Sequence, residues 1–347
     1  MKKEKFGNLK DGREVYLYTL ENKNGVKVTI SEFGATITSL IVPDKNGKYE
    51  DVVLGYDILE PYFTNIENFG ATIGRNANRI EGARFKLADK AVELSQNEGK
   101  NNLHTDLDNG FHKKLWESVA NEEENSVTMS YLSPNGENGF PGNLDMKVTF
   151  SLTDENEVVI FYEGSADQKT VINCTNHSYF NLAGAGNGDV LNHYLKIFSE
   201  EYNPVKEDSV PTGEKAFVRG TPFDFSDFRR IGDDIDSKDG QLKITGGYDH
   251  NFIIKEPGGL IAVAEEKMSG RRMEVYSSLP GLQLYTGNYI RDGIKGKDGK
   301  IYNRRGGLCL ETQFVPNSVN MEGFKKPIYE AGEKYEYKVV YKFVNQP

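Results

Sequence analysis

Short alternating runs that end on glycine, proline or asparagine recur along almost the whole chain, and that rhythm leaves few folds open. Residues 26–30, 35–42, 146–152, 158–162, 195–198 and 335–344 are rich in β-branched and aromatic side chains. Several of them alternate apolar with polar positions, as a strand with one wet face does. Clusters such as Pro43-Asp44-Lys45-Asn46-Gly47 and Ser133-Pro134-Asn135-Gly136 separate the runs, and such residues favour turns. The polar stretch Thr153-Asp154-Glu155-Asn156-Glu157 reads as a hairpin connection. Only residues 57–63 and 225–235 read as helix, and both pieces are short. The pattern predicts an all-β fold, a large antiparallel β-sandwich with few short helices. No Pro/Ser/Gly linker divides the chain, and the polar gaps at 121–125 and 233–240 are short enough for surface loops. Residues 1–347 are therefore expected to form a single domain.

Charge narrows the range of partners. The formal net charge is -10, with acidic residues spread along the chain, which argues against nucleic acid because phosphates would be repelled. Basic residues near Met1 have no apolar stretch behind them, so neither a secretory signal nor a membrane span is expected. A cytoplasmic protein is the simplest expectation. The two cysteines, Cys174 and Cys309, match no metal-binding spacing. They are expected as buried reduced thiols, since free cysteine packs as a small hydrophobe, with neither a disulfide nor a catalytic role.

Candidate chemistry starts with histidine, whose pKa near 6.5 permits both donation and acceptance at neutral pH. Of the five, His112 sits in the basic stretch Phe111-His112-Lys113-Lys114-Leu115, which reads as exposed. His193 follows an Asn/Gly/Asp-rich turn, and His250 is expected to face away from Asp249 in a structural role. His104 and His177 each close an asparagine-bearing segment, Asn101-Asn102-Leu103-His104 and Asn173-Cys174-Thr175-Asn176-His177. Amides there can orient the ring or bond a polyhydroxylated ligand, and each ring can equally be a satisfied core histidine. No two histidines have the close spacing of a zinc site, so no metal is expected. In Gly307-Leu308-Cys309-Leu310-Glu311-Thr312-Gln313, alternation places Cys309, Glu311 and Gln313 on one face. A carboxylate buried there gains pKa and strength as a base; the plainer reading is a glutamate at a strand end facing water. Asp249, after Gly246-Gly247, either caps a turn or binds ligand hydroxyls.

Five segments in one order resemble the aldose 1-epimerases, also called galactose mutarotases. The family's Asn-x-Thr-Asn-His-x-Tyr-Phe-Asn-Leu is met at Asn173 through Leu182. Gly74-Arg75-Asn76-Ala77-Asn78-Arg79-Ile80, Asp249-His250-Asn251-Phe252, Pro280-Gly281-Leu282-Gln283-Leu284-Tyr285-Thr286-Gly287-Asn288 and the Glu311 segment with Pro316-Asn317-Ser318-Val319-Asn320 are also similar. The resemblance implies a mutarotase fold and no cofactor. It implies Glu311 as general base and His177 as general acid, with Asn78, Arg79, His104, Tyr179, Asp249 and Gln283 binding or orienting the sugar. One departure stands out: family members commonly carry Leu-His-Gly-Gly where this chain has Leu103-His104-Thr105-Asp106. Losing the glycines restricts the loop, and Asp106 is expected to raise the pKa of a nearby imidazole.

The implied substrate is a free aldose, a cyclic hemiacetal. Interconverting its anomers requires removal of the proton on the carbon-1 hydroxyl while the ring oxygen receives one, here from a protonated His177. Three other readings use the same residues. A non-catalytic sugar-binding module needs only the amides, arginine and aromatics. A glycoside hydrolase would pair Asp249 with Glu311, and a hexose-phosphate mutarotase would need cations such as Arg75 and Arg79 for the phosphate. Trp116 and Tyr285 are candidates to stack on a sugar, core packing being the readier task for Trp116.

Overall fold

The computed structural model describes residues 1–345, so the expected domain end at residue 347 lies outside the described residues. Alternation converts directly into strands. Along Leu144–Leu152 every second side chain is buried, and Glu157–Ala166 repeats the pattern. The two pair antiparallel from Leu144 opposite Ala166 to Leu152 opposite Val158. The hairpin expected at 153–157 joins them. The Thr153 N–H donates to the Glu157 carbonyl at 3.0 Å, the Thr153 hydroxyl accepts from the N–H of Glu155 and Glu157, and Asn156 takes a left-handed φ of 62°, which asparagine tolerates.

These strands belong to a nine-stranded sheet in the order Glu117–Asn121, Ser126–Ser133, Leu144–Leu152, Glu157–Ala166, Lys334–Asn345, Arg271–Ser277, Leu260–Glu266, Tyr194–Ile197, Arg229–Arg230. A five-stranded meander, Lys2–Asn8, Glu14–Glu21, Lys27–Ser31, Thr36–Pro43 and Tyr49–Asp51, forms a second sheet. A third runs Ala216–Phe217, Glu201–Tyr202, Asp249–Ile253, Gly281–Tyr285, Cys309–Gln313. The strand pairs are antiparallel throughout these sheets. One apolar cluster joins all three, with Val28 and Leu40 from the meander, Val148, Ile160 and Tyr341 from the large sheet, and Phe252, Leu284 and Leu310 from the third. Apolar burial is the dominant favourable term in such a sandwich, and Trp116 lies inside this cluster as the sequence suggests.

The described residues hold two short α-helices, Glu60–Thr64 and Gly240–Thr245. The first overlaps the stretch 57–63 read as helix. The second corrects the reading: residues 225–235 form the strand Arg229–Arg230 and a single 3-10 turn, Ile231–Asp233. Phe225, Ile231 and Ile235 all reach the core, so their spacing mimics helical periodicity. Gly240–Thr245 begins at the end of a gap read as loop, where the Asp239 carboxylate accepts from the N–H of Gln241 and Leu242, an N-cap that a six-residue helix cannot advertise by periodicity. No helix among the described residues is long and apolar enough to cross a membrane.

Candidate active site

Three adjacent strands build one wall. In Cys309–Gln313 and Gly281–Tyr285 every residue is buried, as are the first four of Asp249–Ile253. The register sets Glu311 opposite Gln283 and Gln283 opposite Asn251, with Tyr285 between Cys309 and Asp249. Residues 249, 251, 283, 285, 309, 311 and 313 therefore share a face, and Phe252, Leu282, Leu284 and Leu310 on the other face enter the main core. Alternation here separates pocket from core, where elsewhere it separates water from core. Glu311 accordingly does not face water; it is 2% exposed.

The second wall is the run from Asn173 to Leu182, and its amides hold backbone. Asn176 donates to the Gly70 carbonyl and accepts from the Ser178 N–H and hydroxyl, Asn173 accepts from the Phe314 N–H, and Asn181 donates to the carbonyls of Gly188 and Gly306. Main-chain bonds do the rest: the His177 N–H donates to Ala71, the Leu54 N–H to Tyr179, and the Phe180 and Leu308 peptides exchange bonds. A Cβ at Gly307 would stand 2.9 Å from that of Tyr179, so glycine is needed where the two segments cross. The residues left facing the pocket are His177 and Tyr179, whose rings stack at 5.1 Å.

Asn78, Arg79 and His104 form a third side. Asn78 and His104 grip each other: the His104 N–H donates to the Asn78 carbonyl and the Asn78 N–H donates to His104 Nδ1 at 3.1 Å. The neutral His104 ring thus carries its hydrogen on Nε2, as a donor. Where the family commonly has glycine, Thr105 adopts φ 71°. Its hydroxyl accepts from the Asn76 N–H at 2.8 Å and donates to the Asn76 carbonyl at 3.1 Å, and its own carbonyl accepts from the Asn102 amide at 2.7 Å. Asp106 turns to its own loop, accepting from the N–H of Asp108 and Asn109 and from the Ser95 hydroxyl. Its field favours a charged His112, but burial outweighs it and drives that ring down to about 3.

These walls enclose a cavity of about 460 Å³ that reaches the residues expected on sequence grounds: Asn78, Arg79, His104, His177, Tyr179, Asp249 and Glu311. Gln283 stands behind Asp249, donating to its Oδ1 at 2.7 Å. Tyr285 lines the cavity as well. The decisive distance is between His177 Nε2 and Glu311 Oε1, 3.7 Å. Arg79 makes a two-pronged pair with Glu98, at 2.7 and 2.8 Å, and its Nη1 lies 3.7 Å from Asp249 Oδ2.

Burial sets the electrostatics. It pushes Glu311 well above the usual carboxylate range, helped by neighbouring Asp249 and opposed by Arg79. It raises Asp249 too, against Arg79 and Gln283. Desolvation would depress Arg79, but Asp249 and Glu98 more than restore it. His177 is driven down to about 4 by burial, so the sequence expectation of an imidazolium waiting for substrate needs correction: burial keeps the ring neutral at neutral pH. His112 is a further correction, being buried, with Nε2 against the Leu107 carbonyl, and not exposed. His193 accepts from the Leu182 N–H and His250 packs against Phe223, both away from the cavity. Arg75 is also no phosphate ligand, since it is buried and donates to the carbonyls of Ser133, Pro134, Pro141 and Gly142.

His104, His177 and Glu311 bring possible ligand atoms within 4.8 Å of one another, a set that a transition metal can use. His104 fits such a role badly, because its Nδ1 is occupied by the Asn78 N–H and its Nε2 carries the hydrogen where a ligand lone pair is required. Sequence reasoning missed Glu98, Glu67, Arg291, Tyr289 and Ser209, which also line the cavity. They come from loops without periodicity, and only the turn Asn97-Glu98-Gly99 carried a local signal, for a bend and not for a ligand.

A pocket that buries a carboxylate and an imidazole face to face, and leaves Glu311 Oε2 with no hydrogen-bond partner among the described residues, defines an enzyme that moves protons, here an isomerase of small sugars. The profile of the Aldose 1-epimerase family matches residues 16–342, and the chain belongs to that family. It is 40% identical to a galactose mutarotase of Rattus norvegicus over 97% of both chains. It is 36% identical to an aldose 1-epimerase of Escherichia coli K12 over 96% of both. The crystal structure of galactose 1-epimerase from Lactobacillus acidophilus superposes with a TM-score of 0.87 at 28% identity, covering 100% of this chain and 99% of that one.

Proposed function

We propose that the protein interconverts the α and β anomers of free aldohexoses such as galactose and glucose, with Glu311 as general base and His177 as general acid. The carrying observation is the 3.7 Å approach of His177 Nε2 to Glu311 Oε1 inside the cavity. The two sugar oxygens that exchange protons hang on the same carbon, so the groups that serve them must be close. Glu311 takes the proton of the carbon-1 hydroxyl as the His177 imidazolium protonates the ring oxygen, and the ring opens. Rotation about the bond between carbons 1 and 2 presents the other aldehyde face, and the two groups exchange roles on closure. The transfers balance without a cofactor. Arg79, Asp249, His104 and Asn78 hold the sugar, Gln283 orients Asp249, and Tyr179 supports the His177 ring.

The shifts favour this direction of transfer. Burial makes Glu311 a stronger base and the His177 imidazolium a stronger acid, so ring opening gains driving force at both ends. The ring-opened state carries the neutral acid and neutral imidazole that a buried site prefers.

Polarimetry of freshly dissolved α-D-galactose and α-D-glucose tests the reading, with Glu311→Gln as control. The substitution is expected to keep the fold and lose about 10² to 10⁴-fold in rate; near-normal turnover would remove Glu311 from the mechanism. A sugar-binding module would leave anomer exchange at the solvent rate. Against a sugar phosphate stands the cavity's charge: Glu67, Glu98, Asp249 and Glu311 face Arg79 and Arg291, and both arginines are paired with carboxylates. We read residues 1–347 as one domain working in the cytoplasm, with neither nucleic acid nor membrane as partner. The net charge of -10 and the two free thiols support this.

A further inference from the structure

Arg79 and Asp249 line the cavity side by side without bonding. Arg79 Nη1 stands 3.7 Å from Asp249 Oδ2, too far for a hydrogen bond, although a guanidinium and a carboxylate buried together readily close into a two-pronged pair. Each is held from behind. Gln283 Nε2 donates to Asp249 Oδ1 at 2.7 Å, while Arg79 Nε and Nη2 donate to the two oxygens of Glu98 at 2.7 and 2.8 Å. We infer that Glu98 is a positioning residue, which occupies the fork of Arg79 and so leaves Nη1 and Asp249 Oδ2 as a split donor and acceptor for one sugar hydroxyl. The inference deepens the mutarotase reading and rests on it for the identity of the ligand.

A hydroxyl suits such a gap because it donates one hydrogen and accepts at its lone pairs: it can give to Asp249 Oδ2 while taking from Arg79 Nη1. The backbone fixes the place of Glu98. Its loop turns on itself, with the Asn97 and Glu98 N–H donating to the Asn101 carbonyl and the Asn101 N–H donating to the Glu98 carbonyl. The Asn97 amide exchanges two bonds with the backbone of Leu103, at 2.6 and 2.8 Å, and Leu103 is the residue paired with Arg79 in the short ladder between Asn102–Leu103 and Arg79–Ile80. The Asn101 amide ties the loop further, to the Gly82 N–H and the Asp208 carboxylate. Carboxylate and guanidinium are thus set against one another by main-chain register. Two parallel bonds on a cation only 9% exposed also make this pair stronger than a loose surface bridge. Burial works against the Arg79 charge, and Asp249 and Glu98 restore it. Without Glu98, Asp249 is the ion-pair partner that remains, and the fork is free to close on it.

Glu98→Gln keeps the length of the side chain and gives up its charge and its second acceptor oxygen. Steady-state polarimetry on α-D-galactose and calorimetric binding of galactose should show KM and Kd raised about tenfold with kcat within about twofold of wild type, the pattern of lost uniform binding. In an Arg79→Ala background the same change should add less than about twofold, because no fork is left to hold. Unchanged KM and Kd in Glu98→Gln would overturn the inference, as a residue that merely braces its loop would lower the melting temperature and nothing else. Increases that multiply in the double variant would overturn it too, by showing that Glu98 acts without Arg79. Glu98→Asp, which draws the carboxylate back by one methylene, answers the same cycle should glutamine not fold. A wild type that binds galactose without exchanging its anomers would remove the mutarotase reading and leave the binding cycle to decide the role of Glu98, whereas one that neither binds nor turns over an aldose would overturn both.

Discussion

Acid should dismantle this protein through its histidines. All five are buried. Burial drives His177 and His193 down to about 4, His112 and His250 down to about 3, and His104 well below the ordinary value. In the unfolded chain each returns to about 6.5. The folded values are the lower ones, so between about pH 6.5 and pH 4 the unfolded state binds protons that the native state refuses, and stability falls as pH falls. Each such proton is worth about 1.4 kcal/mol per pH unit. Glu311 and Asp249 act the other way, because their folded values are raised and the native state binds their protons first. Five histidines less at most two carboxylates leave about three to five protons, a slope of roughly 4–7 kcal/mol per pH unit at its steepest. Against a typical total of about 5–15 kcal/mol, most native stability is gone within about two pH units below 6.5. Urea unfolding followed through the single, buried Trp116 at steps from pH 7.5 to 5 measures this directly. His193→Gln isolates one proton. Glutamine keeps an acceptor for the Leu182 N–H that His193 Nε2 now takes at 2.8 Å, and it removes the titrating ring. Its slope should be lower by about 1.4 kcal/mol per pH unit. A flat wild-type profile, or a variant slope equal to wild type, would refute the claim that burial holds these rings neutral.

Arg79→Ala should raise KM about 10- to 100-fold, the worth of a charge-assisted hydrogen bond, and should move the limb of the pH–rate profile governed by Glu311 upward, because Arg79 is what pulls that carboxyl down; steady-state polarimetry with an unchanged KM would take Arg79 out of sugar binding. Thr105→Ala should destabilise by about 2 kcal/mol, since it keeps a Cβ at φ 71° and loses both hydroxyl bonds to Asn76. Thr105→Gly, which relieves about 1 kcal/mol of left-handed strain, should be the milder change, and thermal melts of the two variants in the reverse order would sink that account.

The sheets were legible because their alternation is local: Leu144–Leu152 and Glu157–Ala166 announce themselves and the turn between them. Of the two α-helices, Glu60–Thr64 was legible and Gly240–Thr245 was not. Six residues after Asp239 are too few to show a period, and the apolar spacing at 225–235 arises from side chains that enter the core out of irregular backbone. The site was legible only as residue types in a familiar order. What alternation could not say is what Glu311 faces, because a strand reads identically whether its polar side meets water or a buried pocket. The same ambiguity hid His112, whose lysine neighbours suggest exposure while Trp116 and Phe111 beside it pull the turn into the core. Glu98 was out of reach altogether, since its importance lies in a contact with Arg79 from a loop.

That ambiguity resolves into the chemistry. A polar strand face turned to solvent would leave Glu311 an ordinary carboxylate, too weak a base to take a hydroxyl proton, and His177 an imidazole of ordinary acidity. Covering the face on all sides moves the two in opposite directions, which strengthens both partners of one concerted exchange and makes their charged forms the scarcer ones. The two effects share a single cause, so they cannot be tuned apart by burial alone. Arg79 is placed to adjust the balance, lowering Glu311 without touching His177.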